Sequence, residues 1–114
     1  MKEPRDVRDY LDDIVQAAQQ AFDFVEGMDY ETFSRDRKTA YAVVRALEIL
    51  GEATKRIPPE IRNRYPNVPW RSMAGIRDKL IHDYLNVNLE VVWKTVQEDL
   101  PPLVPDVQRV LHEM

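Results

Sequence analysis

The apolar residues of this chain recur at spacings of three and four, and this spacing restricts the chain mainly to helices. From about residue 5 to 26 the stripe is Val7, Leu11, Ile14, Ala18, Phe22 and Val25. Because an α-helix has about 3.6 residues per turn, such residues share one side of the helix. A second segment, at about 36–56, repeats the pattern with Ala40, Val43, Leu47 and Leu50. We therefore predict amphipathic helices that bury their stripes against one another.

Turn residues and prolines divide the rest of the chain. Gly27 is expected to end the first helix, and residues 30–34 to form a short turn or loop. Prolines bound one expected helical turn at 58–66, and a connector follows at 68–70, where Trp70 should pack on the core. Three further helices are expected at about 73–84, 89–100 and 104–111. Asn88 suits the N-cap of the helix at 89. Since no segment alternates as a strand does, the fold class is all-α, an up-and-down bundle of four to five helices.

Length and composition limit the classes of protein that this bundle can represent. With 114 residues, the chain is expected to form a single domain over residues 1–114. It has no cysteine and only two histidines, far apart in sequence, so we predict no disulfide, no metal site and no cofactor. No apolar run approaches the roughly 20 residues that span a bilayer, and there is no secretory signal, so we expect no membrane contact and a cytoplasmic location.

The charge is unevenly distributed along the chain. The formal net charge is -4, which argues against holding nucleic acid by bulk electrostatics. From residue 55 to 79, however, seven basic residues stand against two acidic ones, a local net charge of +5. These basic residues are Lys55, Arg56, Arg62, Arg64, Arg71, Arg77 and Lys79. Two interpretations stay open: a local patch that grips phosphate or a charged partner, and ordinary surface variation.

The segment that could carry chemistry runs from residue 77 to 84. If the helix at 73 continues to 84, Met73, Ile76 and Leu80 face the core and His82 points away from it. Arg77 and His82 are then about 140° apart around an ideal helix, so one copy does not bring them together. A two-fold axis would place two arginines and two histidines in one cleft. We therefore predict a site that depends on a homodimer.

Two acidic residues bear on this segment. Asp78 precedes His82 by four residues, where on a helix its carboxylate can accept a hydrogen bond from the imidazole and orient it. Glu48 lies on the polar face of the second long helix, with Arg45, Glu52 and Lys55. A salt-linked surface accounts for that face better than a functional role for Glu48 does.

Arg77, His82 and Tyr84 match the R-x(4–6)-H-x-Y signature, and by it the chain resembles HepT-type proteins of the HEPN superfamily of metal-independent ribonucleases. The stretch Ala-Leu-Glu-Ile-Leu-Gly-Glu-Ala at 46–53 is similar to the second-helix pattern of that family, and the residues from Pro69 to Arg77 are similar to its lead-in. Where the family often has Asn after the arginine, this chain has Asp78, which adds a negative charge close to the expected phosphate.

The resemblance implies a function. Members of this kind are homodimeric endoribonucleases that act as the toxin of a type VII-like toxin–antitoxin pair. In this chain His82 would move a proton while the ribose 2′-hydroxyl attacks phosphorus, and Arg77 would stabilise charge on the RNA phosphate. The cognate antitoxin, a minimal MntA-like nucleotidyltransferase, would add AMP to Tyr84. Bulk and negative charge at that place would block RNA.

Two other functions stay open on the sequence. The first is a non-catalytic helical module that binds a nucleotidyltransferase partner or its nucleotide substrate, and such binding would survive loss of Arg77 and His82. The second is a purely structural homodimer, which would need neither His82 nor Tyr84.

Overall fold

A computed structural model describes residues 5–81 and 86–114 of the chain. Within these ranges the elements are α1 (Val7–Phe24), α2 (Tyr30–Arg35), α3 (Arg37–Lys55), α4 (Pro59–Arg64), α5 (Trp70–Ala74), α6 (Ile76–Leu80), α7 (Leu89–Lys94), a π-helical turn (Thr95–Asp99) and α8 (Leu100–Glu113). The same ranges contain no strand, and their one isolated β-bridge joins Ile81 to Val87. The predicted all-α class is therefore confirmed.

Local chemistry determines where α1 begins and where the chain turns after it. The Asp6 carboxylate accepts a hydrogen bond from the Asp9 backbone N–H (3.1 Å), and the Asp9 carboxylate accepts one from the Asp6 N–H (3.0 Å). This reciprocal pair is a capping box, which satisfies N–H groups that have no partner within the helix. After Phe24 the chain turns through Gly27, whose φ of 77° suits a residue without a Cβ. The predicted end of this helix before Gly27 is confirmed.

The first and last helices of the bundle lie side by side in opposite directions. Arg8, in the first turn of α1, donates hydrogen bonds to the carbonyl oxygens of Leu111 (3.2 Å) and Met114 (3.3 Å) at the end of α8. The start of α1 therefore lies beside the end of α8. α3 is the central helix, since it contacts α1, α2, α5, α6 and α7. The predicted helical bundle is confirmed, with α3 packed against five other helices.

The prediction of a turn or loop at residues 30–34 is wrong, because this stretch belongs to α2. The Asp29 side chain accepts a hydrogen bond from the Thr32 N–H at 2.8 Å and caps the helix. Phe33 is fully buried, and its ring centroid lies 5.2 Å from that of Trp93. A helix of six residues with a single buried side chain has too few positions to show a periodic stripe.

The predicted separate helices at 89–100 and 104–111 form one continuous helical run, so the break between them was wrong. Asn88 caps α7 as predicted, with its side chain accepting from the Val91 N–H at 3.1 Å. In the π-helical turn that follows, the Leu100 N–H donates to the Thr95 carbonyl. The run then continues into α8, whose first turn contains Pro101 and Pro102.

The prediction of one helix over residues 73–84 is also wrong. The segment is broken at Gly75 into α5 and α6, and α6 ends at Leu80. The Leu80 carbonyl accepts a hydrogen bond from the Asn88 N–H (2.8 Å), and Ile81 is extended and bridges to Val87. Residues 80–81 therefore pair with residues 87–88, and these contacts take the place of the next helical hydrogen bonds after Leu80. The predicted core side of the segment is confirmed, since Met73, Ile76 and Leu80 are buried.

Candidate active site

Arg77 lies near the start of α6 and extends over the surface of α3. Its side chain is 66% exposed, and its Nε is 3.5 Å from Oε2 of Glu48, whose side chain is 25% exposed. Within residues 5–81 and 86–114, Arg77 has no other carboxylate within ion-pair distance. The guanidinium therefore lies beside the Glu48 carboxylate while most of the Arg77 side chain stays exposed to solvent.

Close packing against Gly51 determines where α6 lies. A Cβ at Gly51 would be 2.9 Å from Cγ2 of Ile76 and 3.2 Å from the Met73 carbonyl oxygen. Such a distance to a Cβ is too short, so only glycine lets this part of the chain approach α3 so closely. Ile76 is the residue before Arg77, and Glu48 lies one turn before Gly51 on α3. Gly51 therefore helps to bring the ion pair together.

Of the other predicted site residues, the structure describes Asp78 but not His82 or Tyr84. His82 and Tyr84 lie outside the described residues. Asp78 is exposed in α6. Since α6 ends at Leu80, the helical spacing that paired Asp78 with His82 does not apply, and neither does the angle of about 140° between Arg77 and His82. The role of Asp78 as an orienting residue stays a prediction.

The basic stretch at residues 55–79 is partly neutralised by the fold. Lys55 pairs with Glu52 at 3.3 Å and Lys79 with Asp99 at 3.1 Å, and Arg77 pairs with Glu48. Arg62 has a structural role, because its guanidinium donates to the carbonyl oxygens of Thr54 (2.9 Å) and Ile57 (3.0 Å) at the end of α3. Arg56, Arg64 and Arg71 are exposed and, among the side chains that the structure describes, have no ion-pair partner.

A cleft of about 380 Å³ lies between the first half of α3 and the chain that follows residue 85. Ser34, Arg37, Ala40, Tyr41, Val44, Asn86, Val87 and Leu89 line it. Tyr41 is 60% exposed, more than any other large apolar side chain in the described part of the protein. The cleft therefore offers an aromatic face and a cation close to the end of the segment that contains His82 and Tyr84.

Helix caps are the described carboxylates whose ionisation the fold changes most clearly. Hydrogen bonds from Thr32, first from its backbone N–H, lower the pKa of Asp29. Hydrogen bonds from Thr39, again led by the backbone N–H, lower the pKa of Asp36. Both carboxylates stabilise helix starts. In the two described ranges, no three His, Asp or Glu side chains converge in a way that could hold a metal ion, and no helix is long and apolar enough to cross a membrane.

Comparison with known proteins identifies the family of this chain. The family model described as Ribonuclease HepT-like matches residues 14–110. The chain belongs to the ribonuclease HepT-like family. The match includes α3, α6 and the whole Arg77–Tyr84 segment, so the candidate site lies within the family region.

Individual relatives agree with the HepT-like assignment. A protein of Thermococcus cleftensis named "Probable ribonuclease HepT" is 50% identical over 99 residues, which cover 87% of this chain and 90% of the relative. A Methanocaldococcus jannaschii protein named a "Putative RNase" is 39% identical over 96% of this chain and 91% of its own. A protein of Caldanaerobacter subterraneus, also named a "Putative RNase", is 41% identical over 99% of this chain and 98% of its own. No solved structure gives a significant match.

Spacing along α3 predicted a salt-linked surface but did not reveal that Glu48 pairs with Arg77. Glu52 and Lys55 do pair as that interpretation expects, but Glu48 contacts Arg77 on another helix. Spacing within one helix cannot show a partner on another helix. The glycine within the 46–53 pattern was the available signal, because a glycine inside a helix often marks a close approach.

Proposed function

We propose that this protein is a metal-independent endoribonuclease that acts in the cytoplasm as the toxin of a type VII-like toxin–antitoxin pair. Membership of the ribonuclease HepT-like family is the observation that carries this proposal. The Arg77 side chain supports it, because it is 66% exposed and a guanidinium is well suited to bind phosphate. We assign Arg77 and His82 as the catalytic residues.

Arg77 suits the charge that develops during RNA cleavage. When the ribose 2′-oxygen attacks the adjacent phosphorus, negative charge increases on the non-bridging oxygens. A guanidinium stays protonated at any working pH and presents paired N–H donors that match phosphate oxygens. The contact with Glu48 fixes the direction of the side chain before substrate binds, which lowers the entropy lost on binding.

His82 is assigned the proton transfers, because the ordinary pKa of an imidazole lies near neutrality. One neutral imidazole accepts the 2′-hydroxyl proton as the new oxygen–phosphorus bond forms. The bond from phosphorus to the 5′-oxygen breaks, and a protonated imidazole supplies the proton that this oxygen takes. The products are a 2′,3′-cyclic phosphate and a free 5′-hydroxyl, with no metal ion required.

We further propose that the active unit is a homodimer in which two copies of the motif face one cleft. A homodimer supplies two imidazoles, so one can accept a proton while the other donates one. It also places two Arg77 side chains beside one phosphodiester. Asp78 is proposed as an orienting residue for His82.

Tyr84 is the proposed site of control. A cognate minimal, MntA-like nucleotidyltransferase would join the tyrosine oxygen to the α-phosphorus of ATP and release pyrophosphate. The attached AMP would put a negative charge beside the cleft and repel RNA phosphate. Mass spectrometry after incubation with ATP and such an enzyme should find AMP on Tyr84, and the Tyr84→Phe variant should remain unmodified and active.

Cleavage by purified protein tests the catalytic proposal. Unmodified protein should cut single-stranded RNA in the presence of a chelator and leave cyclic phosphate ends, whereas Arg77→Ala and His82→Ala should lose most activity. His112→Ala is a matched control, because His112 is the second histidine of the chain and lies exposed in α8. No cleavage by the wild type, or equal cleavage by wild type and His82→Ala, would contradict the proposal. Binding of a nucleotidyltransferase by all forms without cleavage would instead favour a non-catalytic module.

A further inference from the structure

An aromatic side chain between two arginines forms an exposed stripe on α3, outside the Arg77–Tyr84 segment. Arg37, Tyr41 and Arg45 are each four residues apart, so they fall within about 80° of one another around the helix. All three are exposed. The two arginines are separated by about 12 Å along the helix axis, with Tyr41 midway between them.

Neither arginine of this stripe is neutralised within the part of the chain that the structure describes. No ion pair includes Arg37 or Arg45 there. The two carboxylates further along the same face are already paired, Glu48 with Arg77 and Glu52 with Lys55. Within the described residues, both arginines of the stripe therefore lack a salt bridge, on a protein whose formal net charge is -4.

The exposure of Tyr41 is not explained by packing against the core. Its side chain is 60% exposed although Ala40 and Val44, its neighbours on α3, are buried. It lines the cleft that Asn86 and Val87 also line, directly after residues 82–85. An exposed aromatic ring flanked by cations suits a base stacked on the ring and phosphates on either side.

We propose that Arg37, Tyr41 and Arg45 form a subsite for single-stranded RNA, in which a base stacks on Tyr41 and the arginines bind the neighbouring phosphates. This inference rests on the proposed ribonuclease function. Single-stranded RNA is the favoured class because an unpaired base exposes its face, whereas stacked bases in a duplex do not. The stripe is continuous with Glu48 and hence with Arg77, so RNA bound there leads toward the proposed catalytic arginine.

Binding of a 2′-O-methyl oligoribonucleotide tests the subsite separately from cleavage, because this RNA lacks the attacking hydroxyl. By fluorescence anisotropy, Tyr41→Ala should weaken binding about ten-fold, as expected for loss of one stacked base, and Tyr41→Phe should bind like the wild type. Arg37→Gln and Arg45→Gln should each reduce the slope of log K against log salt by about 0.7. Arg109→Gln, which removes an exposed arginine from α8, should change neither affinity nor slope by a comparable amount.

The outcomes separate this inference from the proposed function. If the wild type cleaves ordinary RNA but Tyr41→Ala binds the methylated RNA as tightly as the wild type, the subsite is wrong and the ribonuclease stands. If the wild type binds the methylated RNA with the predicted variant effects but cleaves nothing, the catalytic proposal fails and the subsite stands. A third outcome is tested by sedimentation of the same variants. If Tyr41→Ala dissociates a homodimer, and RNA binding falls only because of that dissociation, the stripe is a contact between subunits. The inference is then overturned.

Discussion

Arg77 on α6 and Glu48 on α3 are joined by an ion pair of 3.5 Å between Nε and Oε2. The pair links two helices that are separated by 20 residues in sequence. Its shortest contact is made by the inner nitrogen of the guanidinium, and 66% of the Arg77 side chain stays exposed. Because both side chains retain solvent contact, the pair contributes little to stability. We expect it instead to orient the Arg77 side chain.

Glu48→Gln should therefore lower kcat more than it changes KM. The amide keeps the size of the side chain but removes the charge that holds Arg77 in position, so a misplaced guanidinium should cost roughly 10- to 100-fold in kcat. KM should stay similar or fall, because a negative charge near the RNA phosphate is lost. Steady-state cleavage of a short fluorogenic RNA measures both constants.

Glu52→Gln is the matched control for this substitution, since Glu52 lies one turn further along α3 and pairs with Lys55 instead. It should leave kcat close to that of the wild type. In a double-mutant cycle, Glu48→Gln should cost little in an Arg77→Ala background, because its effect acts through Arg77. Additive losses would show that Glu48 acts in some other way.

Gly51→Ala should destabilise the fold by about 1–3 kcal/mol, because the new Cβ would overlap Ile76 and the Met73 carbonyl. Urea unfolding measures the change in free energy. Gly75→Ala is the control, since a Cβ there would meet only the Arg71 carbonyl oxygen at 3.5 Å, an ordinary contact. Equal stability of the two variants would contradict the close approach of α6 to α3.

Arg62→Ala should lower the free energy of unfolding by about 1.5 kcal/mol or more, because charged hydrogen bonds to the Thr54 and Ile57 carbonyls are lost. Arg64→Ala, two residues away and exposed, should change stability by no more than a few tenths of a kcal/mol. Chemical denaturation compares them directly. If both arginines are equally dispensable, Arg62 belongs to the charged surface and not to the cap of α3.

The sequence predicted the long elements of this fold well because periodicity averages over many residues. α1 and α3 each run for at least 18 residues, and their buried side chains recur at helical spacing. Short elements escape that averaging. α2 has six residues and one buried side chain, and its place depends on a contact with Trp93 far along the chain.

At the candidate site, too, the sequence did not reveal features that depend on contacts between distant parts of the chain. The family signature picked out Arg77 from sequence alone. The predicted helix through residue 84 was wrong, because the Leu80 carbonyl accepts a hydrogen bond from the Asn88 N–H and α6 ends at Leu80. The contact between Glu48 and Arg77 depends on packing between two helices, which spacing along one helix does not encode. Helical geometry therefore cannot replace the tertiary structure in relating Arg77 to His82.

Asp36 provides a prediction about pH. Its carboxylate accepts hydrogen bonds from the Thr39 N–H (3.0 Å) and hydroxyl (2.7 Å), which lower its pKa below the ordinary value of 3.8. Protons therefore bind the unfolded chain more readily than the folded one, so the stabilisation is present above the ordinary value of 3.8 and is lost as the pH falls through the lowered pKa. Thermal unfolding followed by circular dichroism should show the melting temperature of the wild type decreasing over that range.

Substitution of Asp36 separates its titration from that of the other carboxylates. Asn also caps helices but does not titrate. The melting temperature of Asp36→Asn should therefore decrease less than that of the wild type between pH 5 and pH 3, a range that includes the ordinary carboxyl value of 3.8. Asp36→Ala removes the cap, so it should melt below the wild type at pH 7 and approach it as the wild-type carboxylate becomes protonated. Wild-type and Asn curves that run parallel through this range would show that Asp36 carries no linked proton, and that the acid sensitivity of the fold arises at other carboxylates such as Asp29.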